Sequence, residues 1–122
     1  MPAIQESLSV ILEDLKNSAN IEASVIASHQ GLVMVADVPE YVPEAKLGAF
    51  TATILESAKT VMEELRQKPP NMLMIKSIDS IIIFMEAGDK AILGTLFPDE
   101  QNIGLVIVEM EEACEKISQI LD

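Results

Sequence analysis

Apolar residues recur along this chain with two different periods, and the order in which those periods alternate predicts the fold. Ile4, Leu8, Ile11, Leu12 and Leu15 recur at helical spacing, with Glu6, Glu13, Asp14 and Lys16 on the other side. That pattern is an amphipathic helix, expected to end between Asn17 and Asn20. Glu22 to Ser28 reads as a strand, His29, Gln30 and Gly31 as a tight turn, and Leu32 to Asp37 as the returning strand. The stretch from Val38 to Pro43 has two prolines and no period, and Pro43 suits the first residue of a helix, where an N–H is not needed. Glu44 to Lys68 is then expected to be helical for about seven turns, until Pro69 and Pro70 stop it. Three strands follow at Met72–Ser77, Ser80–Ala87 and Lys90–Phe97, joined by turns at Ile78-Asp79 and Gly88-Asp89. The last segment is ambiguous locally, because residues 105–108 look like a strand. Ile103, Val106, Ile107, Met110, Ala113, Cys114, Ile117 and Leu121 nevertheless share one helical face, which predicts a helix capped by Asn102. Leu105 and Val108 are then left off its core face.

The element order is therefore α-ββ-α-βββ-α. Short turns make the strands antiparallel, yet the strands are apolar on both sides, so helices must cover both faces of the sheet. The expectation is an α/β fold: a three-layer α/β/α sandwich around a five-stranded antiparallel sheet, in one domain spanning 1–122.

Composition narrows the function by exclusion. A formal net charge of −12 with only eight Lys and Arg, scattered singly, argues against nucleic acid and against an anionic membrane surface. With 3% aromatic residues and no Trp there is no base-stacking platform. No apolar run approaches the roughly 20 residues of a bilayer span, and the N-terminus, Met1 to Glu6, lacks the basic start of a leader. The one cysteine, Cys114, has no internal disulfide partner, which suits a reducing, cytoplasmic setting.

Catalytic equipment is hard to find. Glycines at 31, 48, 88, 94 and 104 have neither dinucleotide nor phosphate-loop spacing, so no cofactor is expected. One His and one Cys cannot build a zinc site. His29 would have to serve as base in any hydrolase triad, and its hairpin position favours a plain surface role. Cys114 lies on an apolar helix face, where thiols are usually inert. Glu109, Glu111, Glu112 and Glu115 read as a solvated face ahead of a metal site. Arg66, the single arginine, reads as a helix-end charge ahead of an arginine finger. The expectation is a protein that is not an enzyme and works through its surfaces.

Two features suggest self-association. Met72, Leu73, Met74 and Ile75 open the three-strand meander and can lie at the sheet edge, where an apolar strand followed by a single lysine, Lys76, is hazardous unless paired. Pairing with its own copy across a two-fold axis would remove the hazard. The long helix carries two stripes. One is Leu47, Phe50, Ile54, Ala58, Val61 and Leu65; the other is Ala45, Gly48, Ala52 and Leu55, small enough to admit a second helix closely. The alternative is that the small stripe packs on the chain's own sheet.

Several stretches together resemble the Roadblock/dynein light chain family: residues 23–33 with Gly31 in the hairpin, Ala49 to Leu65, Met74 to Ser77 with Ile81 to Phe84, and above all Asn102-Ile103-Gly104 opening the last helix. The likeness runs from about Ser7 onward, and order and spacing carry it more than any one motif. It departs at 18–21, where members often have glycines and this chain has Ser18, Ala19, Asn20 and Ile21. The resemblance implies a profilin-like fold. It implies a homo- or heterodimer in which third strands pair into one sheet and long helices lie side by side. It also implies a docking surface for a Ras-like small GTPase, whose hydrolysis some members stimulate without supplying an arginine. The polar side of the long helix, Lys46, Thr53, Ser57, Thr60 and Glu64, would then meet the partner. A structural adaptor without effect on nucleotide turnover is the second reading. A small-molecule sensor is the third, with few inward polar candidates beyond Ser24, Lys76, Ser77 and Thr95.

Overall fold

The computed structural model describes residues 2–122; Met1, the first residue of the N-terminal stretch considered above, lies outside the described residues. Three helices and five strands follow in the expected order: α1 (Pro2–Ala19), β1 (Ala23–Ser28), β2 (Val33–Asp37), α2 (Glu44–Glu64), β3 (Met72–Lys76), β4 (Ser80–Ala87), β5 (Ala91–Pro98) and α3 (Ile103–Leu121). All strand pairs are antiparallel and the sheet order is β2-β1-β5-β4-β3, so β2 and β3 are its edges.

Alternation along the strands feeds two cores. On β4, Ile81, Ile83, Met85 and Ala87 join Leu8, Leu12 and Leu15 of α1 and Val106, Met110 and Ile117 of α3. The intervening Phe84 faces Leu55 of α2 and Ile92 of β5, with Ile82 and Leu73 beside them. Period-two residues on a central strand thus meet helices on both faces, the three-layer arrangement the apolar strands required. Thr95 is buried in the larger core and donates its hydroxyl to Met110 Sδ at 3.2 Å.

The chain reversals have local causes. Asn20 takes φ +53 directly after α1, within the 18–21 stretch where the chain departs from the resemblance; a short polar side chain tolerates that left-handed geometry better than most. Gly31 has φ +92 in the β1–β2 turn, where Ser28 and Leu32 close the hairpin backbone to backbone at 2.8 Å. Asn102 caps α3, its side-chain oxygen accepting from the Leu105 N–H at 3.1 Å.

Strand ends differ from expectation by a residue, as fraying ends do. The larger correction concerns α2, which stops at Glu64 and not at Lys68. Arg66 has φ +58 and donates its N–H to Glu63 O at 2.9 Å, so the reversal occurs before the prolines are reached. Arg66 therefore lies beyond the helix and not in its last turn. Pro43 likewise sits at the N-cap, one position earlier than expected.

Candidate interaction surface

Helix α2 lies alone on its face of the sheet, packed on β1, β2 and part of β5. Small residues set its approach. A Cβ added at Gly48 would stand 2.6 Å from Val33 Cγ2 and 2.7 Å from Gly31 O, so the helix rests directly on the β1–β2 hairpin. Gly48, Thr51 and Leu55 are the buried residues of α2. The Thr51 hydroxyl returns to Leu47 O at 2.8 Å, which satisfies a buried polar group without a partner elsewhere.

Each of the two stripes of α2 is divided between core and solvent in the single chain. Gly48 and Leu55 turn inward onto the chain's own hairpin and sheet, Ala52 is half-buried, and Ala45 is exposed. Phe50, Val61 and Leu65 of the larger stripe are 66%, 56% and 63% exposed, with Leu47, Ile54 and Ala58 half-buried between them and the core. Gly48 and Leu55 are thus satisfied within one copy. The apolar side chains left over are the ones hydropathy alone would have buried.

The edge strand extends this surface. Met72 and Leu73 are half-buried, Met74 and Ile75 are 37% and 36% exposed, and Lys76 is exposed with its ammonium 3.7 Å from Asp99 Oδ2. Leu73 and Ile75 pair with Phe84 and Ile82, so they share the sheet face that carries α2. Beside them is a cleft of about 220 Å³ with apolar walls from Val25, Val42, Leu47, Ile82, Phe84 and Leu96. Gly94 keeps its floor open, since a Cβ there would lie 3.0 Å from the Phe84 ring.

Lys46, Thr53, Ser57, Thr60 and Glu64 are all exposed on the outer side of α2, away from Gly48, Thr51 and Leu55. Thr53, Ser57 and Thr60 border a shallow depression with His29, Gln30 and Glu56. His29 is more enclosed than a turn position suggested. Its Nε2 is shielded from solvent without a hydrogen-bond partner and lies 3.5 Å from Glu86 Oε1, which Lys59 Nζ holds at 2.8 Å. Neither Lys59 nor Glu86 was singled out by the sequence; a lone cation on the inner flank of a helix gives no periodic signal.

Other candidates fall outside this surface. Cys114 is buried in α3, and burial, with Glu111 adding to it, pushes its thiol up to about 12, which keeps it protonated and unreactive at neutral pH. Glu111, Glu112 and Glu115 are exposed, and Glu109 is half-buried beside α1. Among the described residues no helix is long and apolar enough to cross a membrane.

The family model for the Roadblock/LC7 domain matches residues 8–97. The chain belongs to the Roadblock/LC7 domain family. It is 26% identical to an uncharacterized protein of Methanocaldococcus jannaschii, MJ1340, over 107 residues, covering 88% of this chain and 93% of that protein. Among solved structures, Myxococcus xanthus MglB superposes with a TM-score of 0.89 at 13% identity, over 95% of this chain and 88% of MglB. Acanthamoeba castellanii profilin II does so with a TM-score of 0.58 at 15% identity, over 85% and 88% of the two chains. The Roadblock fold here is thus profilin-like, as the resemblance implied, and the two solved structures speak to fold alone. Ile54 of α2 and Leu73 of β3 pack on the same small cluster of Leu55, Phe84 and Ile92, so helix and edge strand share one face of the sheet.

Proposed function

We propose that this Roadblock protein is a homodimeric docking platform for a Ras-like small GTPase, acting on the partner's conformation and not through catalytic groups of its own. The observation that carries the self-association half is the edge strand β3, apolar and half-exposed, beside an α2 flank that leaves Phe50, Val61 and Leu65 in solvent. An apolar edge with open backbone groups is stabilised by pairing, and a two-fold axis supplies an identical edge.

The hydrogen-bond phase of the hairpin supports a pairing centred on an outward-pointing residue of β3. Ser77 donates to Ser80 O at 2.9 Å, so the closely hydrogen-bonded pairs of the β3–β4 ladder recur at Leu73 and Ile75. The N–H and C=O groups of Met72, Met74 and Lys76 then point away from β4, to the open edge. An axis through Met74 pairs Met74 with itself and Met72 with Lys76, and sets Leu73 against Ile75 of the second copy on the α2 face. The exposed flank of α2 would border the seam, with Gly48 and Leu55 supporting the helix from below, while Ala52 lies on its other side beside His29 and Gln30.

The GTPase half rests on family membership and on the outer face of α2, where Lys46, Thr53, Ser57, Thr60 and Glu64 are exposed. A platform that binds one nucleotide state more tightly shifts the partner's switch-loop population by that difference in affinity. Affinity capture from a native lysate, in the presence of GDP or of a non-hydrolysable GTP analogue, tests this. The reading requires a small GTPase enriched in one of the two states; a GTPase bound equally in both, or none, removes it.

A further inference from the structure

The opposite face of the sheet carries a surface that dimerisation through β3 and α2 does not use. Helices α1 and α3 lie side by side there, and between them runs a cleft of about 320 Å³ lined by Ile11, Leu15 and Ala113, with Asp14, Glu109 and Glu112 on its sides. Lys116 is the one cation lining it. On the solvent side of α3, Leu105 and Val108 are 46% and 51% exposed. Leu105 precedes Glu109 and Glu112, and Val108 precedes Glu112 and Glu115, at spacings of four and seven residues, so apolar and acidic side chains share one helix face. Leu105 and Val108 thus add an apolar patch to the solvent side of a helix whose core side is filled by Val106, Met110, Ala113 and Ile117.

We propose that this face, Leu105, Val108 and the acidic cleft between α1 and α3, docks a basic amphipathic segment of a partner protein. Charge selects the occupant. The same face of a second copy would set Glu109, Glu112 and Glu115 against their own like charges, which opposes that contact. An anionic lipid surface or a nucleic acid meets the same repulsion. A helix with Leu or Ile on one side and Lys or Arg beside them sets aliphatic side chains on Leu105 and Val108 while its cations reach Glu109, Glu112 and Asp14. The site lies on the helical layer opposite α2, so one molecule can hold such a segment and a partner on α2 together.

Fluorescence anisotropy with a labelled model peptide of Leu and Lys, about four helical turns long and amphipathic, tests the proposal; a Leu and Glu peptide of the same order is the control. Wild type should bind the Leu/Lys peptide and not the Leu/Glu one. Leu105→Ser with Val108→Ser, and separately Glu109→Gln with Glu112→Gln, should each weaken binding about tenfold, and the second pair should also flatten its salt dependence. Glu44→Gln with Glu63→Gln on α2 removes the same charge and should leave affinity within about twofold. No binding by wild type overturns the proposal, as does equal loss from the α2 and α3 charge variants, or full affinity after loss of Leu105 and Val108.

Discussion

Replacing Gly48 by Ala separates helix propensity from tertiary contact, because the two effects have opposite signs. In a helix interior Ala is favoured over Gly by about 1 kcal/mol, so an isolated α2 would gain from the change. In the folded protein the new methyl would sit 2.6 Å from Val33 Cγ2 and 2.7 Å from Gly31 O. Val33 can rotate away, but a backbone carbonyl in a closed turn cannot, so either α2 lifts from the hairpin or the turn opens. Overpacking of this kind costs about 1–3 kcal/mol. Since the obstructing atom is main chain, the upper half of that range applies, and the net loss is about 1–2 kcal/mol after the propensity gain. For a chain of this size that lowers Tm by roughly 3–10 °C. Thermal unfolding followed by far-UV circular dichroism measures it, at one fixed protein concentration because association raises Tm by mass action. Ala49→Gly, at an exposed position one residue on, controls for propensity and should cost about 1 kcal/mol. A Gly48→Ala protein more stable than wild type would refute the close contact between α2 and the hairpin.

Three further outcomes follow from individual sites. In a Cys114→Ala background, Met74→Cys should form an interchain disulfide on mild oxidation, because directly opposed antiparallel residues stand about 5.5 Å apart at Cα, whereas Ile75→Cys, diagonal to its own copy at about 7–8 Å, should not; the reverse yields on a non-reducing gel would displace the axis from Met74. Asn102→Ala removes the hydrogen bond to the Leu105 N–H and should cost about 1 kcal/mol in urea unfolding without changing the slope; an unchanged midpoint would contradict the cap. Cys114 has a raised folded pKa, so its contribution to stability is complete below the ordinary thiol value and is lost as pH rises toward about 12, where the unfolded chain has already given up its proton. Denaturant titrations from pH 8 upward should show a decline of at most about 1.4 kcal/mol per pH unit from this group, absent in Cys114→Ala; the same decline in the variant would assign it to other residues.

Much of this architecture was legible because period reports burial. The strands and α3 bury one face or both, and Val106, Met110, Ala113 and Ile117 repeat at helical spacing for that reason. Helix α2 defeated the same logic. Its inner face uses Gly48, which adds no hydropathy, and Thr51, whose hydroxyl is silenced by a bond to Leu47 O that no pattern reveals. Its apolar Phe50, Val61 and Leu65 face solvent in one copy. Period finds an apolar stripe but not what the stripe will meet. Arg66 escaped for a related reason, since the reversal at φ +58 comes from backbone closure onto Glu63 O and not from the prolines that follow. The proximity of His29, Lys59 and Glu86 joins a turn, a helix and a strand far apart in sequence, and only the fold brings them together.

The most direct test of the platform itself is the affinity of the captured GTPase, in its preferred nucleotide state, for wild type and for a variant carrying Lys46→Glu and Glu64→Lys. Both side chains are exposed on the outer face of α2, and the double reversal leaves net charge unchanged. Light scattering checks that the variant keeps the association state of wild type. A drop of about tenfold or more in affinity is the result expected of a partner seated on that face. Unchanged affinity with the dimer intact would contradict the account.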